Sequence, residues 1–95
     1  MKLNSEQTTQ EIITEEVQYI WHETLVHLKE RVSPSNFKTW LAETVPTSFD
    51  GALFLVSAKS ESAAEYLNEN MRSLIEGVLS GIVGRKVKFK CQEGR

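Results

Sequence analysis

The sequence predicts a small α+β domain in the order α-α-β-β-α-β, with a three-stranded sheet packed against helices. Three observations carry that expectation. A helical stripe of apolar residues runs from Ile13 to Val32; an Asp50-Gly51 turn leads into the apolar run Leu53-Phe54-Leu55-Val56; and near the end Val87, Phe89 and Cys91 alternate with Lys86, Lys88 and Lys90. The first is the 3.6-residue period of a helix with one buried face, and the last is the two-residue period of a half-buried strand.

The elements follow in order. Residues 1–9 are polar and aperiodic and read as a disordered lead-in, 10–92 as a single domain, and 93–95 as a tail or the start of a linker. Thr8 and Glu11 have the spacing of a capping box that opens the first helix. Ile13, Val17, Trp21, Leu25, Leu28 and Val32 then fall within about 120° of arc at 100° per residue. Ile12, Tyr19 and Val26 repeat every seven residues on the opposite side, so this helix has two apolar faces. It stops near Val32, because Ser33 and Pro34 suit the N-cap and first position of a second, short helix, with Phe37, Trp40 and Leu41 on its apolar face.

Pro46 ends that helix and marks Val45–Ser48 as an edge strand, since proline has no N–H to give a sheet. Asp50-Gly51 has the composition of a tight hairpin turn in which both central residues take positive φ. Leu53 to Val56 is the most strand-prone run and should be central. Ser62 with Glu65 forms a second capping box, and Ser60 is an alternative cap one turn earlier. Ala64, Leu67, Met71, Leu74, Ile75 and Val78 trace one helical face, and Gly81 or Gly84 ends the helix before the last strand.

Composition narrows the class. The 95 residues are 40% hydrophobic and 25% charged, as in a soluble globular domain. No apolar run approaches the roughly 20 residues of a membrane span. No secretory signal is visible, and the lone Cys91 forms no internal disulfide, so a cytoplasmic protein is expected. The net charge of −2 argues against a chain whose main task is to neutralise phosphates. The charge is uneven, however: residues 1–30 are acidic by four and residues 85–95 basic by four.

No constellation points to catalysis. His22 and His27 are five apart, about 140° around a helix, whereas a zinc-binding helix presents histidines four apart on one face. No nucleophile sits in a recognisable elbow, so neither enzyme activity nor a metal or cofactor is expected. Gly81-Ile82-Val83-Gly84 matches a bare G-x-x-G, but its apolar middle and its place between helix and strand make it a helix end, not a nucleic-acid clamp. Lys86, Lys88 and Lys90 form a basic strip without an interleaved aromatic. Trp21 lies in the centre of the first stripe. A helix over 10–32 is about 34 Å long, against a radius of gyration near 13 Å for such a domain. Val17, Ile20 and Trp21 are therefore expected to outrun the core and meet a partner, with Trp40 structural.

Taken together, Trp21-x-x-x-Leu25-x-x-Leu28, Phe37-x-x-Trp40-Leu41, Leu53 and Leu55, and the helix around Tyr66-Leu67 to Leu74-Ile75 resemble the N-terminal domain (domain I) of the bacterial replication initiator DnaA. The likeness covers about residues 20–90, and the family's KH-like order agrees with the order read from periodicity. The resemblance implies a protein–protein interaction domain for DNA replication. In it, Ile20, Trp21 and Thr24, joined here by Val17, would mediate self-association as a weak homodimer or oligomer. Asn36 and the run Ser60 to Tyr66, with Ser62 and Ala63, would meet the replicative helicase or regulatory proteins. The family commonly shows Ala-Pro-Asn-x-Phe and a later Trp where this chain has Ala58-Lys59-Ser60-Glu61-Ser62 and then Tyr66, so its usual aromatic anchor is Ser62. The alternative is a KH-like domain that binds single-stranded nucleic acid weakly through Lys86, Lys88 and Lys90.

Overall fold

A computed structural model describes the backbone of residues 2–94 and the side chains of residues 15–94. The side chains of the Thr8 and Glu11 capping box and of Ile12 and Ile13 of the two stripes fall outside that description, while the backbone is helical from Lys2, where a lead-in to residue 9 was expected, and strand through Glu93, where a tail was expected to begin. The elements are α1 (Lys2–Lys29), α2 (Pro34–Asn36) continued by a π-helical turn (Phe37–Leu41), β1 (Val45–Phe49), β2 (Leu53–Ala58), α3 (Glu61–Asn70), α4 (Arg72–Val83) and β3 (Lys88–Glu93). The expected α+β order is present, with the third helix divided in two.

That division is one of three local corrections. Periodicity runs unbroken through Met71, yet Met71 takes φ −120° and ψ 0° and separates α3 from α4. Its side chain is buried and its backbone still links both helices, accepting from the Ile75 N–H and donating to Leu67 O. A one-residue break that keeps the apolar face in line leaves no trace in the pattern. The second correction is the cap of α3, which is Ser60: its Oγ accepts from the Ala63 N–H at 3.1 Å, while Ser62 lies inside the helix. The third is the hairpin. Only Gly51 takes positive φ, at +99°. The connection is longer than two residues, because Phe49 pairs with Phe54. Asp50 holds it with one carboxylate oxygen, which accepts from the N–H groups of Ala52 and Leu53 at 2.8 Å each.

Other expectations hold. Ser33 caps α2, accepting from the Asn36 N–H at 3.2 Å, with Pro34 at the first position. Of the two glycines proposed to end the long helix, Gly84 does so in the left-handed region at φ +89°, its N–H bonded to Ser80 O. β2 is central in the sheet order β1-β2-β3, antiparallel to β1 and parallel to β3.

The helices cover one face of this sheet. Phe54, Val56 and Ala58 of β2, and Phe89 and Cys91 of β3, point into a core shared with Trp21, Leu28, Leu67, Ile75 and Leu79. Leu53, Leu55, Lys88 and Lys90 point the other way. Both edges are closed. Pro46 and a register shift between Pro46 and Ser48 interrupt β1. On β3 and at the residue before it, the outward N–H groups of Val87, Phe89 and Cys91 donate to Ser80 Oγ, Glu76 Oε2 and Asn68 Oδ1 at 2.8–2.9 Å. Asn68 Nδ2 also donates to Cys91 O. Helix side chains thus replace the missing fourth strand.

Candidate functional site

The expectation that the first helix outruns the core at Trp21 is corrected. Trp21 is 2% exposed, and Val17 and Thr24 are buried beside it. The physical reason is a register pair: Phe54 and Phe89 face each other across β2 and β3, and both rings stack on the indole, at centroid distances of 5.7 and 5.9 Å. The indole N–H donates to Thr44 Oγ1 at 2.9 Å, and the Thr44 hydroxyl in turn donates to Leu41 O at 2.7 Å. Thr24 turns its hydroxyl back on Ile20 O. Of the four residues expected to self-associate, only Ile20 keeps part of its surface. Length misled because α1 lies along the sheet, so its middle turns have strands beneath them.

The exposed side of α1 is the second apolar line. Tyr19 is 63% and Val26 43% exposed. His22 and His27 are exposed too, and among the described residues no group of three or more His, Cys, Asp or Glu is placed to hold a metal.

Trp40 is the tryptophan at the surface. It is half-buried, on the π-helical turn where the Ala42 N–H reaches back five residues to Phe37 O at 2.9 Å. Its ring stacks on Tyr66 of α3 at 4.1 Å between centroids, with planes 8° apart. Each ring lies four residues along its helix from a polar residue expected at the partner surface, Asn36 and Ser62, and both of those are exposed. The start of α2 and the start of α3 are therefore brought together by an aromatic pair. Two neighbours are less available: Ser60 spends its Oγ on the cap, and Ala63 is buried at 2% exposure, which corrects its assignment to a contact surface.

Periodicity missed Trp40 because Phe37, Trp40 and Leu41 share one apparent face. The signal that separates the tryptophans is the number of partners in the stripe, five around Trp21 and two around Trp40. Lys86, Lys88 and Lys90 are exposed, as expected, and Lys88 and Lys90 lie opposite Leu53 and Leu55 respectively on the outer sheet face without an aromatic. Among the described residues no helix is long and apolar enough to cross a membrane.

Comparison with known proteins agrees with this architecture. The family model described as the DnaA N-terminal domain matches residues 18–81. The chain is 35% identical over 68 residues to the chromosomal replication initiator protein DnaA of Thermomicrobium roseum, covering 72% of this chain and 15% of that protein. To the protein of the same name from Crocosphaera subtropica it is 29% identical over 73 residues, covering 77% of this chain and 16% of that one. The chain thus corresponds to a small part of the relatives it matches. It belongs to the DnaA N-terminal domain family, a non-catalytic protein-interaction domain of the replication initiator.

Proposed function

We propose that this chain is an assembly module of a bacterial replication initiator, working in the cytoplasm: it associates weakly with itself through its first helix and recruits the replicative helicase or a regulatory protein. The observation that carries the recruiting role is the stacked, half-exposed Trp40–Tyr66 pair between Asn36 and Ser62. Paired rings at a helix junction offer a rigid apolar contact, and exposed polar residues beside them supply orientation. Ser62 stands where the family commonly has Phe, so Trp40 and Tyr66 take over the aromatic contact. Self-association falls to the outward side of α1, which carries Tyr19 and Val26, because Val17, Trp21 and Thr24 are occupied in the core.

The test is titration of the purified replicative helicase against wild type, Trp40→Ala and Tyr66→Ala, with circular dichroism as the fold control. Each substitution is expected to weaken binding by about ten-fold or more. Folded variants that bind as wild type does assign the partner to another surface.

A further inference from the structure

We propose that copies of this chain join head to tail, the outward face of α1 in one copy docking on the outward face of the sheet in the next. This rests on the reading of the chain as an assembly module and names the surface that α1 meets.

Among the described residues the large apolar side chains left exposed are Tyr19, Val26 and Val45. They fall on two faces. Tyr19 and Val26 are seven residues apart, so they stand in one line along α1. Glu15, Glu16 and Glu23 lie within about 60° of that line at 100° per residue, giving an apolar ridge with acidic borders. Val45, at 57% exposure, pairs with Ser57 on the outer sheet face, diagonal to Leu55. Leu53 and Leu55 continue that patch across β2, opposite Lys88 and Lys90 of β3. It is an apolar patch with a basic border. The two surfaces are complementary in both respects: apolar centre to apolar centre, and carboxylates to ammonium groups.

Topology makes the contact intermolecular. The helices pack against the inner sheet face, so α1 cannot reach the outer face of its own sheet. Extension of the sheet is also closed, by Pro46 and the irregular register of β1 and by the side chains that hold the outward amides of β3. What remains for a second copy is face-to-face docking. Because the two patches differ, each copy has one free patch after pairing, and the contact repeats along an open chain unless its rotation closes a ring. Its charged borders are exposed, so salt weakens it.

Sedimentation velocity separates the possibilities. Wild type at low salt is expected to show a mass that climbs with concentration past the dimer and falls when salt is added. Lys88→Glu/Lys90→Glu and Tyr19→Ser/Val26→Ser should each remain monomeric at concentrations where wild type associates, a loss of about ten-fold or more in affinity. Mixed one to one, the two variants should form a heterodimer that grows no further, since only one intact pair of faces is left. Three results overturn the proposal: a monomeric wild type at low salt; a lysine variant that associates as wild type does, which assigns self-association to α1 against α1; or a lysine variant that loses only the binding of a single-stranded oligonucleotide, which assigns the basic strip to nucleic acid. Trp40→Ala leaves both faces intact, so failure of helicase recruitment and failure of this contact are read independently.

Discussion

Trp21 lies four residues from Leu25 and Trp40 three from Phe37, each in an apolar stripe with the same apparent role, yet they do different work. Trp21 is enclosed by two phenylalanines and hydrogen-bonded to Thr44, whereas Trp40 has one ring against it and is only half-buried. Truncating the first leaves a cavity and takes away the donor to Thr44 Oγ1; truncating the second removes a stacking partner. Trp21→Ala is expected to cost about 3–5 kcal/mol in urea unfolding, against about 1 kcal/mol for Trp40→Ala. Equal costs would place both rings in equivalent packing. The residue that looked like the contact is thus the one the fold depends on.

At the scale of elements, β3 shows how a three-stranded sheet ends without a free edge. A strand parallel to its neighbour presents every second amide outward, here those of Phe89 and Cys91, with Val87 just before the strand in the same phase, and α3 and α4 place Asn68, Glu76 and Ser80 at the spacing needed to receive them. Asn68 matches its amide group to both backbone atoms of Cys91, closing a two-bond pair. Asn68→Ala leaves a buried N–H and C=O without partners and is expected to cost about 1–3 kcal/mol. Hydrogen exchange at the Cys91 amide is the matching local readout, and it should accelerate in the variant more than exchange at Val56. None of this was legible beforehand. Asn68 is polar in a helix, and only the crossing of α3 over β3 gives it a partner.

For the molecule as a whole, pH acts from both ends. The two N–H bonds to Asp50 hold its carboxyl below the usual carboxylate value of 3.8. Its contribution is therefore present above that value and is lost as pH falls through the lower folded-state pKa. Burial pushes the Cys91 thiol from 9.0 up to about 11. The unfolded chain loses that proton first, so stability is retained below pH 9 and declines as pH rises toward 11. Urea midpoints taken across that interval are expected to fall more steeply for wild type than for Cys91→Ala, which has no thiol to ionise. Parallel curves would mean that the thiol ionises as easily in the folded protein.

By itself the sequence determined the order of elements, the central place of Leu53 to Val56, the Ser33 cap and the buried sides of β3, because each is set by local period or local chemistry. Likeness to a family put Asn36, Ser62 and Tyr66 on one expected surface, and the Trp40–Tyr66 stack joins the helical segments that carry them. Tertiary structure decided which apolar side of α1 is covered. Ile13 to Val32 and Ile12 to Val26 are both apolar lines on one helix, and periodicity ranks them only by length; the sheet's Phe54 and Phe89 fill the first and leave Tyr19 and Val26 outside. Burial depends on what lies across the gap, and that partner comes from strands more than 30 residues away in the chain.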